Sequence, residues 1–248
     1  MSTSAGGVVD SSAALVTAPT LISGLGSHPT LTLPLVCGRE PDIELSWHRL
    51  DETGRFYGIA IPRADALRDT LHGFLEEAAA RHGQVTLAAR VLVVEVAGRL
   101  QFVVSASVID PVRPEPVTLA VRSGPDGAVG PQWRQMAART SSHADDDLTE
   151  RELRAGGHAD VVPVDGDRVG CPRLGALIIE TPHGTIGTGS ARLALLHAAG
   201  LLDEVTCGET SVAMSGATWA RWVSPRFETH PVTAIGAHRF QNGEHVHE

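Results

Sequence analysis

The sequence predicts a two-domain α/β (α+β) chain, with a small N-terminal α/β domain and a larger, β-rich C-terminal domain. In the first half, pairs of strand-like segments flank one long segment with helical spacing. In the second half, short apolar strands alternate with helices, and a cluster of proline and glycine, SGPDGAVGPQ, separates the halves. The expected parts are a partly ordered extension over 1–40, a small domain over 41–122, a linker over 123–132, a large domain over 133–240 and a tail over 241–248.

The first half is expected to consist mainly of strands. Apolar and β-branched runs predict strands near 31–36 and over 44–50, 56–61, 86–98, 99–109 and 115–123. The segment DETG is typical of a turn that joins the second and third of these strands, and Ala97–Gly98 of one that joins the next two. Residues 64–83 carry apolar side chains at helical spacing and end on a glycine, so one helix is expected there.

The second half is expected to hold three helices among short strands. Helices are predicted over 142–155, 191–200 and 215–220, and strands over 159–164, 174–180 and 230–240. Thr188–Gly189–Ser190 is typical of the opening of the second helix, and Gly200 of its end. The alternation of short strands and helices indicates a second domain richer in strands than the first.

Composition argues against several classes of protein. The chain of 248 residues has a formal net charge of −9, whereas nucleic-acid-binding and polybasic membrane surfaces are basic. No apolar run approaches the roughly 20 residues needed to cross a bilayer. The three cysteines are far apart and no CxxC occurs, which favours reduced thiols, a cytoplasmic location and no structural zinc or other metal.

Four segments of the second half follow one another in an order typical of one enzyme family. They are WRQMAARTSSHADDDLTEREL, GGHADVVPVDGDRVGCPRLGALIIETPHGTIGT, GSARLALLHAAGL and SPRFETHPVTAIGAHRF. This order resembles the class IV, or fold-type IV, aminotransferase family, and within it the aminodeoxychorismate lyases most. The resemblance covers about residues 130–240 and is weaker over 43–122. It implies a homodimer and a site for pyridoxal phosphate.

The sequence departs from that family where the cofactor is held. The resemblance places Arg139 at the family's lysine, and all 20 Lys+Arg residues of the chain are arginines. Lysine forms an imine as a neutral amine, whereas arginine stays protonated. The resemblance also places Gly170 where a glutamate holds the pyridinium nitrogen, and Pro172 and Arg173 where small hydroxyls bind the phosphate. We therefore predict no cofactor, since no lysine is present to bind pyridoxal phosphate covalently.

Arginines are the main candidates for a substrate site. Arg139 is the candidate carboxylate anchor, and catalytic residue, through its planar fork, with a structural salt bridge as the alternative. Arg90, inside an apolar strand, and Arg173, before a buried strand, are weaker candidates. All three side chains suit a small anionic metabolite held in a cleft between the domains.

The predicted helix start at Gly189, Ser190 and Arg192 is a second candidate element of the site. Backbone N–H groups at a helix start favour a negative group. The alternative is simple N-capping by Thr188 or Ser190, with Arg192 on the surface.

His48 and Tyr57 are candidate acid–base residues. His48 alternates with Trp47 on a predicted strand, so one of the two is expected to face inward, as a core or a catalytic side chain. Tyr57 is the only tyrosine and is able to donate a proton, although such residues more often serve packing.

Three functions remain open on this basis. The first is an enzyme of lyase, isomerase or hydrolase type that keeps the family's frame without pyridoxal phosphate and acts on a small anionic metabolite. The second is a non-catalytic homologue that binds a ligand or a partner enzyme. The third is a lyase or aminotransferase that holds the cofactor without a covalent link.

Overall fold

The computed structural model describes residues 2–4, 7–9, 28–96, 99–109, 115–123, 144–202, 206–207 and 211–240. They fall into two compact units, the first holding those up to 109 and the second those from 115 onward. Helices and strands occur in both units, which confirms the α/β class. No helix within the described ranges is long and apolar enough to cross a membrane.

The elements of each unit are numbered in chain order. Those of the first unit are β1 (Ser2–Ser4), β2 (Gly7–Val9), β3 (Thr30–Val36), α1 (Ile43–Tyr57), α2 (Ala64–His82), β4 (Thr86–Val96) and β5 (Arg99–Val108). Those of the second unit are β6 (Val117–Ser123), α3 (Ala144–Ala155), β7 (Asp160–Asp165), β8 (Arg168–Gly170), β9 (Ala176–Thr181), β10 (Gly184–Thr188), α4 (Ser190–Ala198), β11 (Thr206–Cys207), β12 (Ser211–Ala213), β13 (Trp219–Val223), β14 (Thr229–Ile235) and β15 (His238–Arg239).

The first unit is built on an antiparallel sheet with the strand order β2–β1–β5–β4–β3. β4 and β5 pair from Leu87 opposite Val108 to Val96 opposite Arg99, which confirms the predicted hairpin, although its turn lies outside the described residues. β3 pairs along β4, so the strand predicted near 31–36 is confirmed and belongs to this sheet.

Helix α2 confirms its predicted range and apolar face. It runs to His82, and Gly83 follows with φ +71°, a conformation that glycine adopts without strain. The five apolar positions that predicted the helix are all buried, namely Leu67, Leu71, Phe74, Leu75 and Ala78. They supply the helical side of the first unit's core.

The hairpin predicted over 44–50 and 56–61 is wrong, because a single helix, α1, spans residues 43–57. The side chain of Asp42 accepts a hydrogen bond from the Leu45 amide (2.9 Å) and caps the helix start. Gly58, at φ +68°, ends it. The segment DETG therefore lies inside a helix, and its glycine, Gly54, packs against the chain that follows.

His48 and Tyr57 consequently lie on α1 rather than on strands. The His48 side chain is 55% exposed and its Nε2 lies 3.5 Å from Glu52, so it is neither a core histidine nor a buried catalytic one. Trp47 donates from its indole nitrogen to the Pro62 carbonyl oxygen at 2.7 Å. Tyr57 is the last residue of the helix, and its ring contacts the ring of Phe56.

The second unit is built on a mostly antiparallel sheet whose main path is β11–β10–β9–β13–β14–β6–β7–β8–β12, with β15 beside β14. β6 lies parallel to both β14 and β7. One face of the sheet carries a core that includes Leu177, Ile179, Trp222 and Val232. The predicted strands at 159–164 and 174–180 are confirmed with small shifts, and the strand and turn predicted over 230–240 are β14 and a turn that leads back along it into β15.

Two predictions for the second half are wrong. The helix expected over 215–220 is a turn followed by strand β13, which pairs with β9 on one side and β14 on the other. Its sequence, WARWV, has the aromatic and β-branched residues that suit a strand flanked on both edges. The boundary expected at 123–132 is also wrong, because β6 belongs to the second sheet. Residues 124–143, with most of that expected linker, lie outside the described residues.

Gly54 tests the packing of α1. A Cβ at Gly54 would lie 2.6 Å from the Ile59 carbonyl oxygen, whereas one at Gly73, on α2, would meet nothing within 4 Å. We expect Gly54→Ala to lower the free energy of unfolding by about 1–3 kcal/mol through overpacking. The matched change Gly73→Ala should raise it by about 0.5–1 kcal/mol. Urea unfolding measures both, and equal effects of the two changes would contradict the contact.

Candidate functional site

A buried carboxylate organises the second unit. Asp160 is the first residue of β7 and is fully buried. Its two oxygens accept hydrogen bonds from the backbone amides of Val161 (2.7 Å), Leu174 (3.1 Å) and Gly175 (2.9 Å) and from the Trp222 indole nitrogen (2.9 Å). One side chain thus joins β7, the segment before β9, and β13.

The electrostatics of Asp160 reflect its burial. Loss of water raises the pKa of Asp160, and the hydrogen bonds from Trp222 and from the three backbone amides lower it by a smaller amount. The groups described around the Asp160 carboxylate are hydrogen-bond donors that are directed at its two oxygens. Asp160 is therefore an anchor for the backbone, with its oxygens occupied.

The segment from Gly170 to Gly175 is held tightly by its neighbours. The Gly170 carbonyl oxygen accepts from the Thr188 hydroxyl at 3.3 Å, and the Arg173 amide donates to the Val161 carbonyl at 3.1 Å. A Cβ at Gly175 would lie 2.2 Å from the Val223 carbonyl oxygen, so only glycine fits there. Arg173 is half-buried within this segment.

Helix α4 begins against the same segment. Gly189 caps it at φ +89°, with no side-chain hydrogen bond. The alternative of capping by Thr188 is wrong, because that hydroxyl donates to the Gly170 carbonyl oxygen. A Cβ at Gly189 would lie 2.8 Å from the Cβ of Ala176 and 3.4 Å from the sulfur of Cys171. Ser190 is the first helical residue, and its side chain lies outside the described part.

Arg192 joins α4 to two other parts of the unit. Its guanidinium donates to the carbonyl oxygens of Ser224 (3.2 Å), Pro225 (3.0 Å) and Leu174 (3.3 Å). Its central carbon also lies 4.9 Å from the centre of the Phe227 ring, a cation–π contact. These contacts give Arg192 a structural role, in contrast to the surface position that was the alternative to ligand binding.

The turn between β13 and β14, residues 224–228, was missed from the sequence. The Ser224 hydroxyl oxygen accepts from the backbone amides of Arg226 and Glu228, both at 3.1 Å. Phe227 is buried at a positive φ of 64°. A serine followed by proline is the sequence signal of such a turn, because the hydroxyl substitutes for a backbone acceptor.

Arg90 belongs to the first unit. It lies on β4, half-buried, with Thr32 of β3 and Ser105 of β5 opposite it in register. Its Nε donates to the Thr30 hydroxyl oxygen at 3.4 Å. Hydroxyl side chains therefore lie opposite Arg90 on both neighbouring strands.

The structure brings some of the candidate residues together. Arg173, Gly189 and Arg192 all lie within the second unit around the Leu174–Gly175 segment. His48, Tyr57 and Arg90 lie in the first unit, the first two on α1 and the third on β4. Arg139 lies outside the described residues. Among the residues described, no three His, Cys, Asp or Glu side chains are grouped as a metal would require.

Comparison with solved structures shows that the chain has the fold of the fold-type IV aminotransferases and aminodeoxychorismate lyase-like proteins. No family model and no curated protein matches the sequence. The structural resemblance therefore defines the fold, at sequence identities below 20%.

Three solved structures illustrate the likeness. A hypothetical aminotransferase from Mycobacterium tuberculosis in a PLP-bound form has a TM-score of 0.73 and 18% identity, over 97% of this chain and 93% of that one. A fold IV-transaminase from Curtobacterium pusillum has a TM-score of 0.67 and 16% identity over 88% and 82%. A proposed 4-amino-4-deoxychorismate lyase from Legionella pneumophila has a TM-score of 0.61 and 12% identity over 88% and 87%.

Asp160 should be essential for the second unit. We expect Asp160→Asn to lower the free energy of unfolding by about 2–3 kcal/mol, because the NH2 group of the asparagine would face N–H groups that are themselves hydrogen-bond donors. Asp165→Asn, at the exposed end of the same strand, is the control and should stay within about 0.5 kcal/mol of wild type. Urea unfolding followed by tryptophan fluorescence measures both, and a neutral Asp160→Asn would remove the anchor role.

Proposed function

We propose that this chain is an enzyme on the fold-type IV scaffold that acts on a small anionic metabolite independently of pyridoxal phosphate. The observation that carries the proposal is the absence of lysine from all 248 residues. The cofactor's imine needs a neutral amine as nucleophile, and an arginine at position 139 does not provide one.

The residues around Gly170 support the same proposal. A bound cofactor of this family would accept electrons from the substrate. A carboxylate beside its pyridine nitrogen would keep that nitrogen protonated and so support this function. Gly170 has no side chain to offer, Pro172 has no hydroxyl, and the nearby carboxylate of Asp160 is taken up by its own donors. These residues do not fit the cofactor, and we assign it no step.

The anion is proposed to bind through positive groups of the chain. In the second unit these are the start of α4 at Gly189, where helix N–H groups favour negative charge, and the neighbouring Arg173. Arg139 remains the proposed carboxylate anchor and Arg90 a further contact. The reaction class is lyase, isomerase or hydrolase, carried by general acid–base groups.

One observation favours a second function, a non-catalytic homologue that binds a ligand or partner. The guanidinium of Arg192 is engaged by three carbonyl oxygens and one aromatic ring of its own unit. An arginine bound in this way strengthens the frame and is not directed to a substrate. The frame of the second unit would thus persist even where catalysis is lost.

Absorbance with added pyridoxal phosphate tests the cofactor part of the proposal. We expect the purified protein to show protein absorption only, and borohydride treatment after soaking to label no side chain in peptide mapping, because no ε-amine is present to trap the aldehyde. A stable visible band after gel filtration, without side-chain labelling by borohydride, would establish a non-covalently held cofactor and overturn the proposal.

Anion binding tests the metabolite part. We expect calorimetric titration with pyruvate, 2-oxoglutarate or phosphate to detect binding by wild type, and Arg139→Ala to weaken it by about tenfold or more through loss of a charge-assisted contact. Arg99→Ala, at the start of β5, is the control and should bind as wild type does. Equal binding by Arg139→Ala and wild type would remove Arg139 from the site.

A further inference from the structure

We draw no further inference here: the strongest candidate, the cluster of Arg90 with Thr32 and Ser105 across β3, β4 and β5 of the first sheet, belongs to the anion site already proposed, and nothing in the described part of the chain shows what faces it.

Discussion

The second unit depends on one buried carboxylate and the four groups that donate to it. Asp160 lies at the start of β7 and reaches both the segment before β9 and the indole of β13. Since buried polar groups are costly unless paired, this arrangement fixes three parts of the chain at once. It also sets the position of Leu174, whose carbonyl oxygen accepts from Arg192. The place of helix α4 therefore follows from the place of Asp160.

The described contacts of this frame run between groups of the chain itself. Glycine at 175 and 189 lets backbone segments approach closely, Arg192 bonds backbone carbonyls, and none of these contacts involves a lysine. This explains how the chain shares a fold with a PLP-bound aminotransferase at 18% identity while lacking lysine altogether. A fold constrains function only weakly, and the chemistry depends on the side chains added to it.

Periodicity in the sequence was sufficient for α2, for the β4–β5 hairpin and for β6, β7, β9 and β14 of the second unit, because the apolar patterns of these elements are regular. It failed at α1, where aromatic residues and the DETG segment suggested a hairpin but the Asp42 cap and tertiary packing at Gly54 favour a helix. The arginines were found by their chemical type. Their contacts could not be predicted, because the acceptors of Arg192 are backbone carbonyl oxygens, which no sequence pattern identifies.

The parallel pairing of β6 has a consequence for how the protein is made. Its partner β14 comes late in the chain, and the Thr233 hydroxyl bonds the Val117 carbonyl across 116 residues. The first sheet's strands have all left the ribosome once residue 108 has emerged. β6, by contrast, has no pairing partner on one of its edges until β14 is translated, several seconds later at about 5–20 residues per second. During this interval, the unpaired edge of β6 would be accessible to chaperones. Nascent chains that are translated from the same messenger RNA would also be most prone to associate at this stage.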